Sequence, residues 1–280
     1  MSHERLVHGR SRFPALDGPD AQGHTGRHAC GRFRRSDQRS DLRGRDPRPV
    51  RRRGSRGRID VPFRAVGCDL RAARRTGTLN DMDFEHPPVD PVPVCEQWFA
   101  DAWERSGLPN PNAMMLATVS PDGLPSARTV LLKGFDSRGA VFYTNSESRK
   151  GDELNATGRA AVLFHWDPME RQIRIEGKVA RVSDEESDAY FASRRRESRI
   201  GAWASLQSRP CASREELDQA CREQEQRFEG QDVPRPPHWF GYRVALEHIE
   251  FWEGGDARLH DRVVYDRDDD GTWTVRRLWP

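Results

Sequence analysis

The chain has 280 residues, of which 35% are hydrophobic and 32% are charged, and its mean hydropathy is −0.89. No stretch approaches the roughly 18 apolar residues of a membrane-spanning helix, which excludes an integral membrane protein. The five cysteines form no CxxC pair and no spacing typical of metal ligands. This argues against a disulfide scaffold and favours a reducing, cytoplasmic compartment.

Charge divides the chain into two parts. Residues 1–80 contain 20 arginines, no lysine and 8 acidic residues, a net charge of +12, so the total of +2 leaves −10 for the other 200 residues. Residues 1–60 show neither a helical nor a strand period, and such a composition predicts disorder. We therefore expect an Arg-rich extension over 1–80, followed by one folded domain over 81–280.

Three interpretations of this extension stay open. Its arginine clusters suit a nucleic-acid-binding arm, because they attract phosphates independently of base sequence. A targeting peptide is opposed by acidic residues such as Asp17 and Asp20 and by the lack of an apolar segment. The third interpretation is an extension without function, translated from a start codon that lies too early. We favour the third, and so expect no nucleic-acid partner.

The folded part is predicted to begin with a helix and to continue as strands. Val94, Trp98, Phe99 and Ala102 have helical spacing within a helix predicted over 94–106. Five strands follow, separated by tight turns and by one short helix over 149–156. These strands are predicted over 114–120, 127–135, 140–145, 159–166 and 171–182.

The second half of the domain is predicted to contain two helices and three closing strands. Ser183 with Glu186, and Ser213 with Glu216, have the spacing of capping boxes, which begin helices. We expect these helices to run to about residues 194 and 228. Short strands joined by tight turns favour an antiparallel barrel or sandwich over βαβ units. The closing strands are predicted over 242–252, 258–265 and 272–278.

Nucleotide, zinc-protease and serine-hydrolase signatures are missing from the sequence, but basic residues recur beside turns and helix starts. Ser146, Ser148, Arg149 and Lys150 lie at the start of the helix predicted over 149–156. A helix N-terminus with hydroxyls and two cations is suited to bind an anion. The alternative is an ordinary N-cap with solvated charges.

A basic triplet lies near the C-terminus. Arg258, His260 and Arg262 are two residues apart, so they share one face of the predicted strand. They bind an anion together, are screened by Asp256 and Asp261, or are solvated. His260 is the residue among them whose proton moves near neutral pH.

Two further groups suit phosphate. Arg128 and Lys133 reach one ligand only if their strand bends, bulges or ends between them. Tyr190, Arg194 and Ser198 share one face if they lie on a single helix, where they form either a site or a surface stripe. Together these positions predict two phosphorylated ligands, one a cofactor and one a substrate.

Seven stretches also carry a family resemblance: RTVLLKGFD (128–136), VFYTNSESRKGDEL (141–154), ERQIRIEGKVARVS (170–183), YFASRRRESRIGAWASLQS (190–208), PPHWFGYRV (236–244), IEFWEGGDARLHDRVVY (249–265) and RRLWP (276–280). In this order and spacing, residues 112–280 resemble the pyridoxamine 5′-phosphate oxidase family. The resemblance implies a mainly β fold with helices (α+β). The implied fold is an FMN-binding split β-barrel, antiparallel and Greek-key-like, with flanking helices. The resemblance also implies that the protein acts as a homodimer with FMN at the subunit interface.

The resemblance also implies the site residues. FMN would be bound by Arg128, Lys133, Tyr143, Thr144, Arg149, Lys150, Gln172, Gln207, Ser208, Trp252 and Arg262. The substrate phosphate would contact Lys133, Tyr190, Arg194 and Ser198. Arg258 and His260 would lie against the pyridine ring as the catalytic residues.

The implied activity is oxidation of pyridoxamine 5′-phosphate and pyridoxine 5′-phosphate to pyridoxal 5′-phosphate, with O₂ as acceptor and H₂O₂ as product. The family's N-terminal Leu-Arg-x-x-Tyr segment has a partial match in LRAARRTGTL (70–79), where Arg71 fits and Arg74 replaces the tyrosine. Alternatives are another split-barrel flavin oxidoreductase, or a flavin or pyridoxal-phosphate carrier without catalysis.

Overall fold

The computed structural model describes residues 82–280, so the extension predicted over 1–80 and the segment 70–79 lie outside the described residues. Helices in this part are α1 Val92–Arg105, α2 Arg149–Thr157, α3 Asp184–Ala192, α4 Arg196–Ala204 and α5 Arg214–Arg227. Strands are β1 Ala113–Val119, β2 Pro125–Leu131, β3 Gly134–Asp136, β4 Gly139–Asn145, β5 Arg159–Trp166, β6 Arg171–Arg181, β7 Trp239–Val244, β8 His248–Glu253, β9 Asp261–Arg267 and β10 Trp273–Arg277. Within residues 82–280, every helix is too short or too polar to cross a bilayer.

The strands are antiparallel, as the turn-rich sequence predicts, and they form one sheet that branches. Its main path runs β10-β9-β8-β6-β5-β1-β2, while β3, β4 and β7 form a second branch. Strand β6 belongs to both branches, because residues 171–176 pair with β8 and residues 179–181 pair with β7. The sheet therefore curls into a half-barrel around one core.

Gly177 lies where β6 passes from one branch to the other. A Cβ atom at this position would lie 2.1 Å from the carbonyl oxygen of Ala245, which any side chain would displace. The close approach is fixed by the amide of Ala245, which donates to the carbonyl of Lys178 at 2.8 Å. A glycine is required here because two backbones meet.

Helix α1 fills the half-barrel with its apolar face. Trp98 is fully buried and meets Phe251 edge-on at 5.3 Å between ring centroids. Phe99 meets Phe135 and Phe164 at 5.0 and 4.8 Å. The helical spacing predicted from the sequence is thus the spacing of core residues. A second apolar cluster under α3, α4 and α5 includes Trp239.

Several element boundaries differ from the predictions. The strand predicted over 127–135 ends at Leu131, and the one predicted over 242–252 is divided into β7 and β8. The helix that Ser183 caps ends at Ala192, and a further helix, α4, begins at Arg196. Both predicted helix starts are confirmed, since the hydroxyls of Ser183 and Ser213 accept from the amides three residues later. The side chain of Glu216 accepts from the amide of Ala212 and that of Glu186 from Arg243, so neither glutamate completes the reciprocal bond of a capping box.

Candidate active site

A cavity of about 970 Å³ lies between β2, β4 and the helices α2, α3 and α4, and we call it the main cavity. It is lined by cationic, hydroxyl and aromatic side chains from separate parts of the sequence. Eleven residues singled out from the sequence meet here: Arg128, Lys133, Tyr143, Thr144, Arg149, Lys150, Tyr190, Arg194, Ser198, Gln207 and Ser208.

One end of the main cavity is the start of α2. Ser148 caps this helix by accepting from the amide of Gly151. The buried ammonium of Lys150 donates to Thr144 Oγ1, Ser148 Oγ and Gln207 Oε1 at 3.2, 3.1 and 2.8 Å. Burial and the positive charge of Arg128 lower the pKa of Lys150 to about 8. A phosphate here would favour the charged form of Lys150 and lie at the N-terminus of α2.

Glu153 lies on α2 beneath this end of the cavity. Its carboxylate pairs with Arg128 Nη2 at 3.1 Å and with Arg149 Nε at 2.8 Å. Burial opposes ionisation, but hydrogen bonds led by those from Thr118 and Ser126 lower the pKa of Glu153 to about 2. The carboxylate is thus charged at every physiological pH.

The other end of the main cavity is built from Lys133, Tyr190, Arg194 and Ser198. Arg128 and Lys133 line the same cavity because β2 ends between them, as the sequence required. Burial, aided by the charge of Arg194, lowers the pKa of Lys133. The Nη1 atom of Arg194 is buried and has no hydrogen-bond partner within residues 82–280.

The predicted single helix face through Tyr190, Arg194 and Ser198 is wrong, although the three residues do meet. Tyr190 lies on α3, Arg194 lies in the break after it, and Ser198 lies on α4. The guanidinium of Arg194 packs over the Trp239 ring at 4.8 Å, and this contact holds the break against the second apolar cluster. The break turns two short helices toward one cavity.

An aromatic wall separates the cavity from the second apolar cluster. The Tyr143 ring stacks on Tyr190 at 4.1 Å and on Trp239 at 5.2 Å, with interplanar angles of 18° and 11°. Burial raises the pKa of Tyr190 to about 12, so its hydroxyl keeps its proton. The wall offers flat apolar surface beside hydroxyl donors, which suits a planar ring bearing polar groups.

Gln172, Trp252 and Arg262 lie elsewhere, in a cleft of about 360 Å³ that shares no residue with the main cavity; we call it the second cleft. Arg262 Nε donates to the buried Glu250 at 2.7 Å, and Glu250 also pairs with Arg174. Strands β1 and β5 lie between β2 and β6 in the sheet. Leu163 on β5 also lines the second cleft, so the two sites come within about 10 Å of each other across the sheet.

The predicted strand face through Arg258, His260 and Arg262 is also wrong, because β9 begins at Asp261. Arg258 ends a 3₁₀ turn with φ +67° and is exposed, whereas His260 packs on Trp252 at 4.6 Å between ring centroids. The amide of Gly255 donates to His260 Nδ1 at 3.2 Å. Arg258 and His260 thus lie on a tight turn beside the second cleft and not in the main cavity.

Comparison with known proteins assigns the chain to a family. The family model described as pyridoxamine 5′-phosphate oxidase matches residues 101–230, and that of the pyridoxine 5′-phosphate oxidase C-terminal dimerisation region matches 239–280. A pyridoxine/pyridoxamine 5′-phosphate oxidase of Rubrobacter xylanophilus is 55% identical over 212 residues, 76% of this chain and 97% of the relative. The chain belongs to the pyridoxamine 5′-phosphate oxidase family.

Other similar proteins agree with this family. The enzyme of the same name from Myxococcus xanthus strain DK1622 is 56% identical over 69% of this chain and 93% of its own length. PhzG from Burkholderia lata 383, solved with tetrahydrophenazine-1-carboxylic acid, has a TM-score of 0.65 and 33% identity over 73% of this chain and all of its own. An FMN-binding protein from Nostoc punctiforme shares the fold at 19% identity, with a TM-score of 0.54 over 65% of this chain and 94% of its own. The split-barrel fold and the oxidase class predicted from the sequence are thereby confirmed.

Several residues around the main cavity and the second cleft were not singled out from the sequence. Trp239 and Glu250 fall within stretches that carry the resemblance, but each contacts its partners only through tertiary structure. Glu153 had a local signal, since it follows Arg149 by four residues on a predicted helix. Its hydrogen bonds to Thr118 and Ser126 come from distant strands.

Proposed function

We propose that this chain oxidises pyridoxamine 5′-phosphate and pyridoxine 5′-phosphate to pyridoxal 5′-phosphate in the cytoplasm, with FMN as cofactor and O₂ as electron acceptor. With the amine, water and O₂ are consumed, and ammonia and H₂O₂ are released. With the alcohol, O₂ alone is consumed and H₂O₂ is released. The oxidase domain spans 81–280 and works as a homodimer.

The observation that carries this proposal is a pair of cationic ends in one cavity. Lys150 and Arg149 mark one end, and Lys133 and Arg194 mark the other. Among the described residues 82–280, Arg194 Nη1 has no hydrogen-bond partner, and the pKa values of both lysines are lowered; both features are typical of sites completed by anions. Two phosphate monoesters, one on a flavin and one on a vitamin ring, match these two ends.

The cavity residues therefore fit FMN and substrate. Arg128, Arg149, Lys150, Thr144 and the amides of α2 would hold the flavin phosphate, with Gln207 and Ser208 beside them. Lys133, Tyr190, Arg194 and Ser198 would hold the substrate phosphate, with Tyr143 on the aromatic wall. Bound FMN supplies the two-electron oxidation at C4′ and is reoxidised by O₂. The chain's own contribution is to bind both phosphates and thereby orient the two rings.

Arg258 and His260 are proposed as the residues that face the substrate ring. Gly255 occupies His260 Nδ1 and Trp252 covers one ring face, so Nε2 is the nitrogen turned toward a ligand. Arg258 and His260 lie on the turn beside the second cleft, which Gln172 and Arg262 line. A second copy of the chain would bring that cleft over the main cavity, which the matched dimerisation region supports.

Flavin extraction and an oxidase assay test the proposal. We expect the purified full chain to be yellow, to release FMN on denaturation, and to form H₂O₂ with pyridoxine 5′-phosphate but far less with pyridoxine. Arg258→Ala and His260→Ala should lower kcat much more than FMN content. A colourless protein that neither binds added FMN nor oxidises either vitamer would overturn the proposal.

A further inference from the structure

We propose that Glu153 is a positioning residue for the flavin-phosphate end of the main cavity, where its carboxylate fixes the guanidinium groups of Arg128 and Arg149 in place. This inference rests on the proposed function, because it assumes that FMN occupies that end. Glu153 itself does not line the cavity. Arg128 and Arg149 do line it, and Glu153 acts on the ligand only through these two arginines.

The carboxylate of Glu153 joins three elements of the fold. It is 3% exposed and accepts from Thr118 Oγ1 on β1 at 2.5 Å and from Ser126 Oγ on β2 at 2.7 Å. Arg128 on β2 and Arg149 on α2 complete the set at 3.1 and 2.8 Å. All four donors converge on two oxygen atoms, so the carboxylate fixes the start of α2 against the edge of the sheet.

Arg128 depends on this arrangement for its orientation. Its Nη2 atom donates to Ser126 Oγ at 2.6 Å as well as to Glu153, and its Nη1 donates to the carbonyl of Leu116 at 3.2 Å and to Thr118 Oγ1. Both hydroxyls that contact Arg128 also contact Glu153. Removing the carboxylate charge would therefore loosen Arg128 and the two hydroxyls together.

Repulsion among the cations at this end gives a second reason to assign a positioning role to Glu153. Arg128 lowers the pKa of Lys150, so the cations at this end repel one another before any ligand binds, and Glu153 raises that pKa in opposition. Glu153 is the carboxylate that both Arg128 and Arg149 contact, and its low pKa keeps it ionised. It thus holds like charges close together in a geometry that a phosphate can use.

The sign of the effect separates positioning from simple electrostatics. A carboxylate near an anion site repels the anion, so by charge alone its neutralisation should tighten FMN binding. If Glu153 positions the arginines, neutralisation should weaken FMN binding instead. A residue that only stabilised the fold would lower the melting temperature and leave FMN affinity in the folded protein unchanged.

The experiment compares Glu153→Gln with Asp152→Asn in the full chain. Asp152 is the neighbouring acid on α2, is 56% exposed, and has only Arg209 as an ion-pair partner within residues 82–280, at 3.7 Å. We expect Glu153→Gln to raise the FMN Kd, measured by quenching of flavin fluorescence, by about tenfold or more. Asp152→Asn should stay within about twofold of the wild type.

A second variant and a second measurement cover loss of folding. Thr118→Val keeps the side-chain volume and the charge of Glu153 but removes one shared hydroxyl, and we expect a smaller rise in Kd in the same direction. At saturating FMN, the KM of Glu153→Gln for pyridoxine 5′-phosphate should match the wild type, because Lys133 and Arg194 are untouched. A general loosening of the fold would raise both constants.

The outcomes distinguish this inference from the proposed function. If wild type and Asp152→Asn bind FMN while Glu153→Gln binds it equally well or more tightly, the positioning role is wrong and the proposed function stands. Should Glu153→Gln fail to fold, an unchanged Kd in Thr118→Val would equally overturn the positioning role. If the wild type itself does not bind FMN, the proposed function fails and this inference with it.

Discussion

The ammonium of Lys150 donates to three oxygen acceptors at the α2 end of the main cavity, while burial and the charge of Arg128 disfavour its charged form. With its pKa lowered to about 8, Lys150 loses its proton as the pH rises from 7 to 9 in the ligand-free protein. FMN binding then requires uptake of a proton. Affinity should therefore fall as the pH passes 8.

We expect the FMN Kd to rise about tenfold for each pH unit above 8, measured by fluorescence titration between pH 6.5 and 9.5. Lys150→Arg should flatten the profile, because the guanidinium keeps its charge across this range. Lys178→Arg, at a lysine that lines neither the main cavity nor the second cleft, serves as the control and should keep the wild-type profile. A wild-type Kd that is constant to pH 9.5 would contradict the role of Lys150.

Arg194 shows a conflict between stability and binding. Its buried Nη1 lacks a partner within residues 82–280, and a buried unpaired donor costs free energy. We expect Arg194→Met to raise the free energy of unfolding by about 1 kcal/mol in the ligand-free protein, and to raise the KM for pyridoxine 5′-phosphate about 100-fold. Its FMN Kd should not change.

Urea unfolding and steady-state kinetics measure these two effects. Arg195→Met is the matched control, since Arg195 is the adjacent, exposed arginine at the cavity edge. It should change KM much less than Arg194→Met. Equal changes in the two variants would mean that the cavity attracts phosphate through its overall charge and not through the buried guanidinium.

At the scale of elements, the sequence predicts features that depend on a local pattern. It misses the points where a strand exchanges one neighbouring strand for another. The helix starts at Ser183 and Ser213 and the core face of α1 follow from spacing within one element, and they are confirmed. The end of β2 does not follow from the spacing within one element. At this point the amide of Leu132 donates to Asn112 and that of Lys133 donates to Val141, so the chain passes from one branch of the sheet to the other.

The break between α3 and α4 has a similar origin. Ser193, Arg194 and Arg195 include neither glycine nor proline, and the helical spacing continues through them. The break is stabilised by the hydroxyl of Ser193, which donates to the carbonyl of Tyr190 at 2.7 Å, and by the stacking of Arg194 on Trp239. Trp239 is more than 40 residues away, so no local pattern contains this information. The family resemblance did place Tyr190, Arg194 and Ser198 at one ligand, because it compares individual residues and does not depend on where a helix ends.

The turn over 255–260 should be intolerant of substitution. A Cβ at Gly255 would lie 2.2 Å from the carbonyl oxygen of Leu259, so an alanine there must displace the turn that carries Arg258 and His260. We expect Gly255→Ala to lower kcat about 100-fold, because a displacement of about 1 Å misaligns a reacting group. The FMN Kd should change far less, as the main cavity is untouched.

Gly271→Ala provides the comparison, because it lies in the neighbouring β9–β10 turn with φ +86° and nearest atom 3.9 Å away. It should cost about 1–2 kcal/mol of stability through backbone strain and leave kcat unchanged. Stopped-flow or oxygen-electrode assays give kcat, and thermal unfolding gives stability. If Gly255→Ala kept the wild-type kcat, the turn would have no part in catalysis.

For the whole molecule, one face of the sheet connects the two groups of site residues. On this face Thr129 pairs with Met115, Met115 pairs with Leu163, and Leu163 pairs with Arg174 on neighbouring strands. The face continues onto β8 and β9. Thr129 lines the main cavity, and Leu163 and Arg174 line the second cleft, while Met115 between them is 43% exposed. The exposed, apolar Met115 between two groups of polar residues suits contact with a second copy, in which we expect each cavity to meet the other's cleft.

This arrangement predicts complementation between defective chains. Arg194→Met impairs the main cavity and Arg262→Gln impairs the second cleft, so each homodimer has two defective sites. A heterodimer of the two variants has one site with both defects and one site with none. Co-expressed with different affinity tags and purified through both, it should show about half the wild-type activity.

A heterodimer of Arg194→Met with Lys133→Met, both in the main cavity, should stay inactive. Activity no higher in the first heterodimer than in the second would mean that each site is built from a single chain.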